Sequence, residues 1–150
     1  MKPQHLPYAL ADAARIGRQI ALHLRVGDVV TLAGPLGAGK TTLARAILAA
    51  LGLPGEAPSP TFAIVQPYAP PEVSLPVAHV DLYRIEDPAE LIELGLDDYV
   101  SDGALLIEWP ERLGNTRWAG TLALEIVGDG DARVLTATVP PAWAARWPLA

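Results

Sequence analysis

The sequence predicts an α/β fold with a mostly parallel central sheet, helices on both faces and an added C-terminal antiparallel hairpin. Helical and strand-like segments alternate along most of the 150 residues. The segments 29–33 and 104–107 are almost entirely apolar, as expected of strands buried on both faces of a parallel sheet. Near the end of the chain, two alternating segments flank the Gly-Asp-Gly-Asp sequence 128–131, which is typical of a hairpin.

The first elements lead into a glycine-rich loop. Apolar residues recur at helical spacing over 10–24, which predicts an amphipathic helix. Residues 29–33 are short, apolar and β-branched, so they favour a buried strand. The glycine-rich loop follows at 34–39. Residues 41–51 then predict a second helix, which a glycine and a proline end.

Proline dominates the next part of the chain. Residues 58–61 are predicted to form an extended loop, because proline biases the preceding residue away from helix. Strands are predicted at 62–65 and at 77–83. A loop with three prolines, the first of them Pro67, is expected between these strands.

The sequence Asp87-Pro88-Ala89-Glu90 indicates the start of a helix. Asp87 can accept a hydrogen bond as the cap, the following proline fits the first turn, and Glu90 stands at the reciprocal position of a capping box. This helix is predicted to end at Gly95 and to be followed by a helical turn at 96–101. A buried strand at 104–107 comes next.

The last elements are the hairpin and two tryptophans. Residues 121–127 and 133–139 alternate between apolar and polar side chains and are predicted to be its two strands. Trp143 and Trp147 lie four positions apart, so they are expected to cover the core on one helical face rather than to form a site.

Composition narrows the class of protein. Hydrophobic residues make up 51% and charged residues 19%, so we expect one packed domain over residues 1–150 and no disordered tail. The chain has no cysteine, which excludes disulfide frameworks, zinc–thiolate sites and thiol nucleophiles. No run approaches the roughly 18 apolar residues of a membrane span, and no secretory signal is apparent. We therefore expect a cytoplasmic protein that does not contact a membrane.

The charge balance also limits what the protein can bind. The net charge is −6, whereas proteins that hold nucleic acid alone neutralise phosphates with Lys and Arg. Any role in a nucleic-acid process is therefore expected to run through protein partners. Of 11 basic residues nine are arginine, and the two lysines are Lys2 and Lys40. Because the chain uses arginine for nearly all its positive charges, we expect Lys40 to have a specific role.

The glycine-rich loop matches the Walker A pattern, G-x-x-x-x-G-K-[ST]. Glycines allow successive backbone N–H groups to surround phosphate oxygens, and the N-terminus of the following helix adds partial positive charge. Lys40 is expected at the β- and γ-phosphates and Thr41 at Mg²⁺. The predicted nucleotide-binding residues are Gly34, Pro35, Leu36, Gly37, Ala38, Gly39, Lys40, Thr41 and Thr42. A buried strand before the loop and a helix after it favour a P-loop NTPase-like fold over a simple glycine turn.

Two acidic residues end predicted strands. Asp81 follows the apolar run at 77–80, and Glu108 follows the run at 104–107. A P-loop site needs a carboxylate at the end of a buried strand, to hold Mg²⁺ directly or through water. Glu108 is predicted either to ligate Mg²⁺ or to orient the attacking water as a base, with Asp81 in the other role. The plainer alternative for each is a surface carboxylate.

Other side chains near these positions are weaker candidates. Ser59 and Thr61 follow the P-loop helix, where a hydroxyl can sense Mg²⁺ and the γ-phosphate as part of a switch segment. Trp109 and Tyr83 stand next to the acids and are expected either to pack in the core or to line the nucleotide pocket. His79 lies within an apolar strand and is predicted to be a buried structural histidine.

The motifs in order resemble the bacterial TsaE (YjeE) family across nearly the whole chain. The matching blocks are residues 34–42, Pro58-Ser59-Pro60-Thr61-Phe62, His79-Val80-Asp81-Leu82-Tyr83-Arg84, Glu93-Leu94-Gly95 and Ile107-Glu108-Trp109-Pro110-Glu111-Arg112. A guanine-specific GTPase is disfavoured because the one asparagine, Asn115, does not stand in an N-K-x-D segment. One departure is visible at Pro35, where the family commonly has an acidic residue.

The resemblance implies a small Mg²⁺-dependent P-loop ATPase that acts with the TsaD and TsaB proteins in making threonylcarbamoyladenosine in tRNA. Because the chain is acidic, we expect it to meet tRNA only indirectly. It implies Lys40 and Thr41 at the phosphates and Mg²⁺, and Glu108 and Asp81 as metal- or water-handling acids. It also implies a switch role for Thr61 and a nucleotide-site position for Trp109.

Two other functions stay open from the residues. A nucleotide-dependent binding module would use ATP as a latch without essential hydrolysis. A small-molecule kinase would transfer the γ-phosphate to a metabolite, although the scattered arginines form no lid-like cluster. The nearest arginines for a catalytic contact are Arg84 and Arg112, and neither is assignable as an arginine finger, so we expect slow turnover that partners raise.

Overall fold

The computed structural model describes residues 3–55 and 64–147, and seven strands in this part of the chain form one sheet. The strands are β1 (Gln4–Ala9), β2 (Val29–Ala33), β3 (Val65–Tyr68), β4 (Val77–Asp81), β5 (Ala104–Glu108), β6 (Leu122–Asp129) and β7 (Ala132–Thr138). Their order across the sheet is β1-β7-β6-β2-β5-β4-β3. The predicted hairpin is the pair β6 and β7, which are antiparallel neighbours.

The centre of the sheet is parallel, as the sequence predicts. Strands β6, β2, β5 and β4 run in the same direction, and β2 lies between β6 and β5. The remaining three strands add antiparallel pairs at the two sides. The parallel strands β2, β4 and β5 are almost fully buried, which explains why their sequences lack polar alternation.

Helices cover both faces of the sheet. The α-helices are α1 (Ala13–Leu22), α2 (Lys40–Ala50), α3 (Leu96–Asp102) and α4 (Pro141–Ala144), and 3-10 helices span Leu10–Asp12, Pro88–Leu94 and Pro110–Leu113. One core joins α1 and α2 to strand residues such as Leu32 and Leu106, and it includes the buried Trp143 and Trp147. A second core packs Val80 and its neighbours against the segment around α3. The expected mixed α/β architecture is confirmed.

The N-terminal strand β1 was not predicted from the sequence. It pairs only with β7, so it lies at one edge of the sheet, and the register places Pro7 opposite Val134. Proline is tolerated at a sheet edge, where its missing N–H costs no ladder hydrogen bond. Leu10 N donates a hydrogen bond to the Asp131 carbonyl, which continues the attachment of this segment to the hairpin.

At the opposite edge of the sheet, the predicted position of Pro67 was wrong. Pro67 was expected in a loop after a strand at 62–65, but it lies inside β3, which pairs with β4 alone. An edge position again accommodates the proline. The part of the predicted strand at 62–63, like the predicted loop at 58–61, lies outside the described residues.

Other boundaries differ by small amounts. The predicted helix at 10–24 begins as a 3-10 turn and its α-helical part ends at Leu22, and the strand predicted at 77–83 ends at Asp81. Asp87 caps as expected, because its carboxylate accepts a hydrogen bond from Ala89 N at 3.0 Å, but the segment it starts is a 3-10 helix. Gly95 ends that helix with a positive φ of 63°.

Across residues 3–55 and 64–147, the structure contains no helix with the length and apolar character needed to cross a membrane.

Gly17 marks a close approach between α1 and α2. A Cβ placed on it would lie 2.5 Å from the Cβ of Ala46 and 2.8 Å from its carbonyl carbon. We therefore expect Gly17→Ala to lower the free energy of unfolding by about 1–3 kcal/mol, because overpacking outweighs the helix preference of alanine. Urea unfolding measures the change, with exposed Arg18→Ala on the same helix as the control. A stability equal to or above that of the wild type contradicts this packing.

Candidate functional site

Three neighbouring parallel strands bring the candidate residues together at their carboxyl ends. β2 leads into the glycine-rich loop, β5 ends at Glu108, and β4 ends at Asp81. Leu32 is in register with Glu108, and Glu108 is in register with Asp81. Because parallel neighbours present their carboxyl ends on the same side, the loop and both carboxylates meet there.

The glycines of the loop have backbone angles that other residues rarely adopt. Gly34, Gly37 and Gly39 have φ values of 141°, 79° and 108°. A Cβ on Gly34 would lie 2.3 Å from the carbonyl oxygen of Ile126 on β6, so strand packing also requires glycine there. Gly39 is the N-cap of α2 and provides no side-chain cap. The helix N-terminus thus presents its first backbone N–H groups to a ligand.

Lys40 is buried at the start of α2 and faces back into the loop. Its Nζ donates hydrogen bonds to the carbonyl oxygens of Gly34 and, at 2.9 Å, Pro35. The same nitrogen lies 4.0 Å from the ring centroid of Trp109, which is a cation–π distance. Burial lowers the pKa of Lys40 from its ordinary value, and the negative charge of Glu108 opposes this shift.

Glu108 connects the P-loop helix to the neighbouring strand. Its Oε1 accepts a hydrogen bond from the Thr41 hydroxyl at 2.7 Å, and its Oε2 lies 2.6 Å from Nε2 of His79. Both Glu108 and His79 are buried. Asp81 is buried as well, and its Oδ1 accepts a hydrogen bond from Tyr83 N at 2.9 Å.

Trp109 forms one wall of the site in an uncommon conformation. Its φ of 60° lies in the left-handed region, which a bulky residue seldom adopts and which is concentrated at functional sites. Its ring packs against Tyr83 with a centroid distance of 4.9 Å. These residues border a cavity of about 340 Å³. The cavity is lined by Leu10, Leu36, Gly37, Ala38, Gly39, Lys40, Thr41, Thr42, Asp81, Tyr83, Glu108, Trp109 and Arg133.

The oxygen atoms at the site suit a hard cation. The Thr41 hydroxyl and the carboxylates of Glu108 and Asp81 are ligands of the kind that Mg²⁺ prefers. Within the described ranges, no group of three His, Cys, Asp or Glu side chains is arranged to hold a metal ion.

Residues 9–135 match the model of one protein family, described as threonylcarbamoyl adenosine biosynthesis protein TsaE. The chain belongs to the TsaE family. It is 37% identical over 134 residues to the protein named tRNA threonylcarbamoyladenosine biosynthesis protein TsaE of Mycobacterium bovis, which covers 83% of this chain and 80% of that protein. The protein of the same name from Streptomyces coelicolor is 40% identical over 128 residues, covering 83% and 86% of the two chains.

The crystal structure of YdiB from Bacillus subtilis has the same fold. It superposes with a TM-score of 0.72 at 29% sequence identity and covers 95% of this chain and 90% of that one. This similarity and the strand order confirm the predicted P-loop NTPase-like architecture. Together with the TsaE family match, they indicate a nucleotide-binding protein.

The structure brings most of the predicted site residues of this TsaE family member together. The loop from Leu36 to Thr42 lines the cavity with Asp81, Glu108 and Trp109, and the carbonyl oxygens of Gly34 and Pro35 hold Lys40. Of the two alternatives for Trp109 and Tyr83, core packing or the pocket, the structure shows both residues lining the cavity. Thr61 and Ser59, the predicted switch residues, lie outside the described residues.

Two residues of the site were missed by sequence reasoning. His79 is buried, as predicted, and its contact with the candidate catalytic carboxylate of Glu108 is the part that the sequence did not indicate. Arg133 on β7 contacts the P-loop and lines the cavity. A signal for Arg133 was present, because it alternates in phase with the buried Leu135 and Ala137 and is therefore a charged residue on the core face.

The guanidinium of Arg133 joins the hairpin turn to the P-loop. Its Nε donates to the Ala38 carbonyl at 2.8 Å, Nη2 donates to the Gly37 carbonyl at 3.5 Å, and Nη1 donates to the Gly130 carbonyl. Because a peptide unit is planar and trans, holding the Ala38 carbonyl also fixes the direction of the Gly39 N–H on the opposite side. Arg133 thereby orients part of the loop backbone.

We expect Arg133→Met to lower the free energy of unfolding by about 1–3 kcal/mol, because the buried Ala38 carbonyl loses its donor. Arg117→Met is a matched control, since Arg117 also bonds to two carbonyls but is exposed, and a change within about 0.5 kcal/mol is expected there. Urea unfolding of both variants tests this. Equal losses for the two arginines contradict a specific role for Arg133.

Proposed function

We propose that this protein binds ATP with Mg²⁺ at the P-loop and hydrolyses it in tRNA threonylcarbamoyladenosine biosynthesis. Membership of the TsaE family supports the biosynthetic role, which the names of its relatives state. The observation that carries the catalytic part is the 2.7 Å hydrogen bond between Thr41 and Glu108, beside the buried Lys40. This hydrogen bond joins α2, the helix after the glycine-rich loop, to the carboxylate at the end of β5.

The P-loop supplies positive potential for a triphosphate. The N-terminus of α2 and the glycine-rich backbone offer N–H donors and the partial charge of the helix dipole. Lys40 has three N–H donors, and two of them bond to loop carbonyls. The third is the donor that we assign to a β- or γ-phosphate oxygen.

Thr41 and Glu108 are the residues that would hold Mg²⁺, which when bound neutralises the charge on the phosphate oxygens. Thr41 donates its single hydroxyl proton to Glu108, so its lone pairs are the part available to a cation. Oε1 of Glu108 accepts a hydrogen bond from Thr41 and Oε2 lies 2.6 Å from Nε2 of His79, which favours a holding role for this carboxylate. Orientation of the attacking water is then the role that we assign to Asp81.

We further propose that hydrolysis is slow until TsaD- and TsaB-type proteins bind, and that tRNA is met only through them. The net charge of −6 argues against independent tRNA binding. Arg133 lines the described cavity, but its guanidinium donates to backbone carbonyls. Arg112, a nearby arginine in the sequence, donates to the Ile85 carbonyl. We propose that a partner supplies further transition-state stabilisation.

We expect Lys40→Ala to weaken binding of ATP and ADP by about 10-fold or more, because a charge-assisted contact to phosphate is lost. Isothermal titration calorimetry in the presence of Mg²⁺ measures the affinity, and circular dichroism checks that the fold is kept. Arg18→Ala removes an exposed cation from α1 and is expected to leave the affinity unchanged. Wild-type affinity in the Lys40 variant contradicts the phosphate-binding assignment.

We expect Glu108→Gln to lower ATP hydrolysis by about 100-fold or more while nucleotide binding is largely retained, because an amide lacks the negative charge with which this carboxylate would hold Mg²⁺. Single-turnover release of labelled phosphate, with and without both partner proteins, measures the rate. The partners should raise the wild-type rate, and the label should appear as free phosphate. Label on a metabolite indicates a kinase instead, and partner association that depends on ATP without turnover indicates a binding module.

A further inference from the structure

We propose that His79 is a positioning residue that fixes the Glu108 carboxylate for its contact with Thr41. His79 lies on β4 and is fully buried. Its Nε2 lies 2.6 Å from Oε2 of Glu108, while the Thr41 hydroxyl donates to Oε1 at 2.7 Å. The three side chains thus form a continuous chain of hydrogen bonds from the sheet to the first turn of α2.

The position of His79 follows from strand alternation and register. His79 is in phase with Val77 on β4 and is the register partner of Leu106 on β5. Val77 and Leu106 belong to the core beneath α1 and α2. Leu106 and Glu108 are in phase on β5, so Glu108 is one step further along the same face. A polar ring is therefore placed on a core face, directly behind the carboxylate.

The contact between His79 and Glu108 matters because Glu108 is buried. Glu108 is 2% exposed, and a buried carboxylate is destabilised unless donors satisfy its oxygens. Thr41 and His79 each supply one hydrogen bond, one to each oxygen. The terminal torsion of a glutamate is broad, so a single donor would leave the carboxylate plane free to turn. The second donor, on the side opposite Thr41, fixes that plane.

The other ring nitrogen indicates which tautomer His79 adopts. Within the described part of the chain, Nδ1 of His79 is buried and has no hydrogen-bond partner. A proton on Nε2 lets the ring donate to Glu108 and leaves only a lone pair at Nδ1. A proton on Nδ1 instead would bury an unpaired N–H and turn a lone pair towards the carboxylate. We therefore assign the proton to Nε2.

The catalytic consequence of this inference rests on the proposed function, and two substitutions separate it from simple packing. His79→Leu has a similar size but no donor. His79→Gln carries an amide N–H₂ that can reach towards Glu108, so it conserves the hydrogen bond. If His79 only fills space in the core, leucine and glutamine should have equal effects. If His79 positions Glu108, only glutamine should replace it.

With the partner proteins present, we expect His79→Leu to lower kcat for ATP hydrolysis by about 10–100-fold, with a KM for ATP within about 3-fold of the wild type. His79→Gln should restore most of the loss. In a Glu108→Gln background, His79→Leu should have little further effect, because both changes act through one carboxylate. His5→Leu, an exposed position, is the control. Equal kcat losses in the leucine and glutamine variants, or additive losses with Glu108→Gln, overturn the proposal.

A second measurement needs no nucleotide or hydrolysis. The chain has three histidines, so ¹⁵N NMR spectra of the imidazoles can be assigned by replacing His5 and His23. We expect His79 to be a single tautomer with its proton on Nε2, and Glu108→Ala to change that signal. A proton on Nδ1 in the wild type, or no response to Glu108→Ala, overturns the contact. If the wild type never hydrolyses ATP, the proposed function fails, while the NMR result still decides whether His79 holds Glu108.

Discussion

The hydrogen bond between Thr41 and Glu108 is the interaction on which the account of this site depends. It joins the helix that begins at the P-loop to the end of the strand next to β2, and Glu108 is buried there while Thr41 is half-buried. A buried carboxylate in such a place is tolerated because each oxygen has a donor. The register of β2, β5 and β4 makes this possible, because it aligns Leu32, Glu108 and Asp81 across three strand ends.

Much of this arrangement could be predicted from short stretches of sequence. The P-loop, the strand before it and the helix after it are local features, since glycine angles and the uncapped helix start are encoded within about ten residues. Asp81 and Glu108 could be proposed because an acid after an apolar strand has a known position in a parallel sheet. Their pairing needed only the assumption that the strands are parallel neighbours.

The features that sequence reasoning missed depend on contacts between distant parts of the chain. β1 is recognised as a strand through its pairing with β7, and Pro67 is accepted in β3 because only one side of that strand is paired. Arg133 contacts the P-loop from a strand near the other end of the chain. His79 resembles an ordinary core residue until Glu108 is placed beside it. Local sequence patterns predict most of the helices and strands, whereas these features depend on strand register and on which strands lie at the sheet edges.

A crystal structure of the protein with Mg²⁺ and a non-hydrolysable ATP analogue tests the central claim most directly. We expect the phosphates at the N-terminus of α2 within reach of Lys40. The ion should lie beside the Thr41 hydroxyl, with Thr41 and Glu108 still hydrogen-bonded to each other. A nucleotide bound elsewhere, or an ion on the far side of the cavity from Thr41 with the Thr41–Glu108 contact broken, would contradict it.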